Sequence, residues 1–198
     1  MRTEPSHNDR LRAVGTSTQA CTTRILAVWA RATDGDKVHG ARWYTDGELF
    51  VTSLAAQTGY SIDAVAAVVA HLSPRTRWSR NQYGATMLLT TGDAPTCIGA
   101  NVERARKALC SDSPLNTLNG PKTQRFARNL LGERASVTID MWAATVALGR
   151  DDYENILNRA GVYEALEHCY RLAARKVGVD PATMQATVWI VARNGRYL

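Results

Sequence analysis

The 198-residue sequence lacks the features that mark metal sites, membrane spans and exported proteins. Its four cysteines stand far apart, with no C-x-x-C pair and no cysteine–histidine spacing typical of zinc. No stretch approaches the roughly 18 consecutive apolar residues of a membrane span, and the N-terminus lacks the apolar segment of a signal peptide. We therefore expect a cytoplasmic protein with reduced thiols and no membrane partner.

Alternation of apolar and polar residues, which marks half-buried strands, is nearly absent, and the sequence contains no internal repeat. Helix signals recur instead. Ser61 and Asp180 are suitable N-cap residues, and Pro121 suits the first turn of a helix. These signals predict an all-α fold of about ten short helices.

The composition, 45% hydrophobic and 21% charged, is that of an ordinary globular protein. We expect a mobile tail over residues 1–17, because this stretch is polar and has no apolar periodicity. Residues 18–198 are long enough for a single helical domain. Within it, residues 33–43 are rich in Gly and Asp and are predicted to form a loop.

Positive charge is concentrated in the middle of the chain. The net charge is +6, and ten of the 24 cationic residues lie between Arg75 and Arg134, against four acidic residues in the same stretch. Clustered guanidinium groups suit phosphate, because each offers a planar fork of donors. The charge therefore favours a nucleic-acid partner over the alternative of a solvated, arginine-rich face.

A glycine turn at Gly120 precedes a predicted helix whose first turn carries Lys122 and Thr123. The N-terminus of a helix can hold phosphate and disfavours a protonated amine, so Lys122 is a candidate nucleophile. Asp140 follows 18 residues after Lys122 and opens the next helix after a short extended segment. Simpler roles are open for both: Lys122 as a phosphate or solvent contact, and Asp140 as an N-cap.

The segments LNGPKT (118–123) and TIDMW (138–142), with their spacing, resemble motifs of the helix-hairpin-helix DNA glycosylase superfamily, which includes endonuclease III and the 8-oxoguanine glycosylases. AAVVAHLSP (66–74) resembles the helix and loop that enter the DNA duplex in that family, and VERARKAL (102–109) the helix before its hairpin. The resemblance covers roughly residues 62–150, and a weaker one links the C-terminal part to small phage and bacterial members.

The resemblance implies a helical fold with a cleft between two lobes and a hairpin-plus-catalytic segment at about 112–142. The hairpin would bind backbone phosphate, in some members around a monovalent cation. The loop ahead of Trp78 would enter the duplex and support an extruded nucleotide; the alternative for Trp78 is a core aromatic. The implied DNA-binding residues are Arg75, Arg77, Trp78, Asn119, Gly120, Thr123 and Arg125.

The implied activity is base-excision N-glycosylase action on a damaged or modified base in DNA. Asp140 would be catalytic, stabilising charge at the sugar and activating the attacking group. Lys122, as nucleophile, would attack C1′, displace the base and leave a Schiff base, which adds AP-lyase activity. We expect a monomer working in a bacterial or phage-infected cell.

The sequence also departs from the family pattern. The hairpin has the single glycine Gly120, Leu118 stands at the position of the other, and Pro121 removes a backbone donor. No cysteine cluster follows Asp140, so we expect no iron–sulfur cluster and no cofactor beyond a monovalent cation at the hairpin. Two alternatives are a phage-type enzyme that modifies a substituted pyrimidine without removing the base, and a DNA-binding module without catalysis.

Overall fold

The computed structural model describes residues 4–194, and these contain helices and no strand, which confirms the predicted all-α class. None of the described helices is both long and apolar enough to span a membrane. The helices are α1 (His7–Arg12), α2 (Thr18–Ala30), α3 (Asp34–Thr58), α4 (Ile62–Leu72), α5 (Trp78–Thr91), α6 (Gly99–Leu109), α7 (Pro121–Leu130), α8 (Met141–Leu148), α9 (Tyr153–Leu157), α10 (Val162–Val177) and α11 (Pro181–Arg193), with a short 3-10 helix, η1 (Pro114–Thr117), before α7.

The chain forms two compact units where the sequence predicts one domain over residues 18–198. Unit 1 combines the described residues up to Tyr44 with those from Arg134 onward. Unit 2 is the continuous stretch Thr45–Glu133. Helix α3 contributes residues up to Tyr44 to unit 1 and the remainder to unit 2. Unit 1 is therefore assembled from two separate parts of the chain, and unit 2 from one.

Unit 1 is built around α10, which packs against α1, α2, α8, α9 and α11. The hydrophobic core includes the fully buried side chains of Ile25, Leu166, Tyr170 and Met184. Asp180 caps α11 as predicted, and its Oδ1 accepts a hydrogen bond of 2.8 Å from the Thr183 N–H.

Helix α1 lies in the stretch that the sequence predicts to be a mobile tail, and that prediction is wrong for residues 7–12. Ser6 and Asp9 form a capping box, in which each side chain accepts a hydrogen bond from the other residue's N–H. Leu11 is fully buried in the core of unit 1. One well-placed apolar residue and a cap stabilise a helix too short to show periodicity in sequence.

The predicted loop over residues 33–43 is also wrong, because most of it belongs to α3. Asp36 accepts hydrogen bonds of 2.8 Å from the Thr33 N–H and hydroxyl, and so caps the start of the helix. Gly40 lies against α11, where an added Cβ would come within 2.8 Å of the Thr187 Cα. The glycine serves close helix packing in unit 1 and does not mark a turn.

Unit 2 is built around α4, whose residues 64–72 are all buried. Helices α5, α6 and α7 and the 3-10 helix η1 pack against it. Ser61 caps α4 as predicted, accepting a hydrogen bond of 3.2 Å from the Ala64 N–H, and Pro121 is the first residue of α7. The central position of α4 brings the segments that follow α4 and η1 close together.

Candidate functional site

The predicted site residues are distributed over both units. Asp140 belongs to unit 1. All predicted DNA-binding residues and the candidate nucleophile belong to unit 2; they are Arg75, Arg77, Trp78, Asn119, Gly120, Lys122, Thr123 and Arg125. The two groups are described in turn.

The entry loop of unit 2, residues 73–77, connects α4 to α5. The Ser73 carbonyl accepts a hydrogen bond of 3.1 Å from the Thr76 N–H, which closes a turn. Arg75 lies within this turn at φ 58°, a left-handed conformation that few non-glycine residues adopt. Its side chain and that of Arg77 are exposed, and neither makes a hydrogen bond or ion pair with the described part of the chain.

A buried asparagine fixes the entry loop to α6. The Asn101 Nδ2 donates to the Pro74 carbonyl at 3.2 Å, and its Oδ1 accepts from the Arg104 guanidinium at 3.3 Å. The Arg104 side chain is exposed and forms no ion pair within the residues described. The entry loop therefore carries a third cation beside Arg75 and Arg77, supplied by a neighbouring helix.

Trp78 begins α5 and packs inside unit 2. Its ring meets Phe50 at 5.9 Å between centroids and Phe126 at 6.2 Å, both edge to face. Such pairs add to the stabilisation from burial. This packing matches the core-aromatic alternative for Trp78, and its stacking on a nucleobase stays a prediction.

The hairpin of unit 2 is the turn at Asn119 and Gly120 between η1 and α7. Leu118 is buried, while Asn119 and Gly120 are exposed. Gly120 has φ 94°, a conformation that favours glycine, whereas an added Cβ would meet no atom within 4 Å. Glycine is therefore required here by the backbone conformation and not by crowding. The Thr123 hydroxyl donates to the Asn119 and Gly120 carbonyls at 3.2 Å, so its proton is unavailable to a phosphate.

Lys122 lies in the first turn of α7, half-buried, and forms no ion pair with any described carboxylate. Helix α7 has no side-chain cap. Because Pro121 lacks an N–H, the free backbone donors of the first turn are those of Lys122 and Thr123. These donors, the helix dipole and the Lys122 ammonium together suit an anion.

A hydrogen bond joins α4, which leads into the entry loop, to η1, which leads into the hairpin. The His71 Nε2 lies 2.9 Å from the Thr117 Oγ1. His71 precedes the entry loop by two residues, and Thr117 ends η1 just before Leu118. Burial, and then the charge of Arg104, lower the pKa of His71, so its imidazole is neutral at pH 7. The two bonded residues are 46 positions apart in the sequence.

Asp140 is the N-cap of α8, and its Oδ1 accepts a hydrogen bond of 2.9 Å from the Ala143 N–H. The capping role that the sequence left open for Asp140 is therefore present. Residues 136–139, which precede it, are buried and belong to neither a helix nor a strand; the extended conformation of Val137–Ile139 stays a prediction.

Side chains of α10 take the place of a neighbouring strand. The Tyr163 hydroxyl accepts from the Ile139 N–H at 2.8 Å and donates to the Val137 carbonyl at 3.2 Å. Glu167 accepts from the Val137 N–H at 3.3 Å and from Arg171 at 3.2 Å. Tyr163, Glu167 and Arg171 are four residues apart and share one face of α10. This spacing is a sequence signal that could have indicated a buried polar stripe.

Two buried tyrosines surround Asp140 within unit 1. The Tyr44 hydroxyl donates to the Gln185 Oε1 at 2.7 Å, and the Tyr170 hydroxyl donates to the Ala143 carbonyl at 3.0 Å. Burial, and then the negative charge of Asp140, raise the pKa of both tyrosines. Both hydroxyls are therefore neutral donors over the whole physiological range. Asp140 thus follows a buried segment and lies near two neutral hydroxyl groups.

Potential metal ligands do not cluster in the structure: the described residues contain no group of three His, Cys, Asp or Glu side chains that could hold a metal ion. The four cysteines, all within the described residues, are free thiols.

Comparison with known proteins identifies a family whose function is unknown. No curated protein sequence and no solved structure matches the chain. A family model described as a family of unknown function (DUF7178) matches residues 7–196, which is nearly the whole sequence. The chain therefore belongs to the DUF7178 family.

Proposed function

We propose that the protein is a DNA N-glycosylase that removes a damaged or modified base. The observation that carries this proposal is the bond in unit 2 between His71 and Thr117, which joins the two helices that lead into the entry loop and the hairpin. Both segments present cations that no described carboxylate neutralises, among them Arg75, Arg77 and Lys122. A surface that offers a phosphate site next to a charged loop suits DNA with an extruded nucleotide.

The proposal gives Lys122 and Asp140 separate roles in the reaction. Lys122 first gives a proton to water, and its amine then attacks C1′ of the deoxyribose as the bond from C1′ to the base breaks. The base leaves with that electron pair and takes up a proton. Opening of the sugar ring then gives a Schiff base on Lys122, from which elimination cleaves the strand. The Asp140 carboxylate stabilises the positive charge that develops at the sugar.

The first test is incubation with duplexes that carry a panel of modified bases, in borohydride, with mass spectrometry of the protein and of released bases. A trapped protein–DNA adduct with a free base supports the full proposal. A free base without an adduct means that water replaces Lys122 as the nucleophile. A base altered but still in DNA indicates modification chemistry, and binding without any product indicates a module without catalysis; both contradict base excision.

Asp140→Asn separates the proposed catalytic role of the carboxylate charge from the observed role of the side chain as an N-cap. Asn caps helices about as well as Asp, so we expect folding to be retained. Loss of the carboxylate should lower base release by about 100-fold or more, with DNA affinity largely unchanged. The matched control is Asp180→Asn, which changes the N-cap of α11 in the same unit and should leave turnover near that of the wild type. Equal turnover in both variants contradicts the role of Asp140.

Lys122→Gln tests the nucleophile. We expect the borohydride-trapped adduct and strand cleavage to disappear, because an amide cannot form a Schiff base. Lys107→Gln is the control, since Lys107 is an exposed lysine on α6 of the same unit. The control should form the adduct, and an adduct that persists in Lys122→Gln would refute the assignment.

A further inference from the structure

The bond between His71 and Thr117 has a defined direction. The Thr117 hydroxyl donates its single proton to the Pro114 carbonyl at 2.6 Å. Its oxygen must therefore accept from His71, whose imidazole carries its proton on Nε2. His71 is 5% exposed, so water competes little for this bond. The donor, the acceptor and the tautomer are all fixed by the surrounding groups.

This bond is the direct polar link between the end of α4 and the end of η1. The entry loop begins two residues after His71, and the hairpin lies just beyond Thr117. On the other side, Asn101 holds the entry loop through the Pro74 carbonyl. The separation between the entry loop and the hairpin therefore depends on one neutral hydrogen bond and on the packing around it.

We propose that His71 is a positioning residue that fixes the entry loop and the hairpin at one separation, so that unit 2 selects DNA with an extruded or missing nucleotide over a regular duplex. The inference rests on the DNA binding proposed above, but it does not depend on base removal. Deformed DNA can bind both segments at once. Two contacts that are held at a fixed separation give a gain in affinity that neither contact gives alone. A regular duplex binds through charge, which a small change in separation barely alters.

Four variants change this bond in matched ways. His71→Leu removes the donor, and Thr117→Val removes the acceptor with little change in shape. His71→Gln keeps an N–H at a similar reach, and Thr117→Ser keeps the hydroxyl. His168→Leu is the control, because it removes a half-buried histidine from unit 1.

The experiment compares dissociation constants for a regular duplex and for the same duplex with a tetrahydrofuran abasic-site analogue, at one salt concentration. The ratio of the two constants does not change with the folded fraction of a preparation, so a merely structural loss leaves it unaltered. We expect the wild type to prefer the abasic duplex. His71→Leu and Thr117→Val should each reduce that preference by about 3- to 10-fold, as expected for one neutral hydrogen bond.

The conservative variants complete the test. His71→Gln, Thr117→Ser and the control His168→Leu should keep the wild-type ratio, and combining His71→Leu with Thr117→Val should add little further loss. An unchanged ratio in both His71→Leu and Thr117→Val overturns the role of His71 and leaves DNA binding intact. A wild type that binds both duplexes equally overturns the selection, and one that binds neither overturns the proposed function as well.

Discussion

Each unit has a non-helical segment that leads into a helix and positions predicted functional residues. The two segments are held in opposite ways. Residues 136–139 of unit 1 are buried, and their backbone bonds to Tyr163 and Glu167. The entry loop of unit 2 exposes Arg75 and Arg77, and its own turn and the contact from Asn101 hold it. The first arrangement fixes a backbone, and the second leaves charged side chains available to a partner.

The difference matches the chemistry proposed for each segment. A carboxylate that stabilises developing charge is most effective when its position is set before the reaction, because no energy is then spent on reorganisation. For arginines that bind phosphate, a long and mobile side chain matters more than a fixed position, since phosphates are spaced regularly along DNA. The buried segment that leads to Asp140 and the exposed guanidinium groups of Arg75 and Arg77 follow this division.

The largest effect on this comparison is expected from Tyr163→Phe, which removes the hydroxyl that satisfies the Ile139 N–H and the Val137 carbonyl. Buried groups left without partners typically cost about 1–3 kcal/mol. We expect a decrease of that size in the free energy of unfolding, measured by urea denaturation. Base release should also fall, because Asp140 ends the loosened segment.

Tyr60→Phe is the control for this change, since Tyr60 is an exposed tyrosine whose hydroxyl makes no hydrogen bond within the described residues. Its stability should match the wild type. If Tyr163→Phe unfolds at the same urea concentration as Tyr60→Phe, the Tyr163 hydroxyl does not stabilise the buried segment, which contradicts the difference drawn between the two segments.

A smaller effect is expected from Arg75→Gly in the entry loop. Glycine relieves the left-handed backbone but adds freedom to the unfolded chain, so the free energy of unfolding should change by no more than about 1 kcal/mol. The loss of one cation should reduce the slope of log K against log salt concentration by about one for duplex DNA.

Arg75→Lys separates charge from backbone conformation, because it keeps the cation and the side chain's Cβ. Its salt dependence should match that of the wild type. An identical slope for Arg75→Gly and Arg75→Lys would mean that residue 75 does not contact phosphate, and a large loss of stability in Arg75→Gly would mean that the side chain packs in unit 2.

Much of the fold could be predicted because the residues that start its helices act locally. Ser61, Pro121 and Asp180 act within three residues of their own positions, so their signals are complete in the sequence. The loop predicted around Gly40 is wrong because, in sequence, a glycine that allows a neighbouring helix to pack closely looks the same as a glycine in a turn. Only the identity of the neighbour, Thr187, distinguishes the two, and it lies 147 positions away.

The candidate site shows the same limit. The cap at Asp140 and the turn at Gly120 were evident from adjacent residues. The bond from His71 to Thr117 and that from Tyr44 to Gln185 span 46 and 141 positions, and no local pattern indicates either. Residues that carry chemistry were therefore easier to predict than the residues that hold them in position.

The assembly of unit 1 from two parts of the chain has a consequence for synthesis. At roughly 5–20 residues per second, about 5–20 s pass between the emergence of residue 44 and that of residue 134. By the end of that interval all of unit 2 has emerged and can fold, while α2 has not yet met its partners α8, α10 and α11. The apolar face of α2 is then open to chaperones, and an early stop in translation would release a folded unit 2 with an unpaired N-terminal arm.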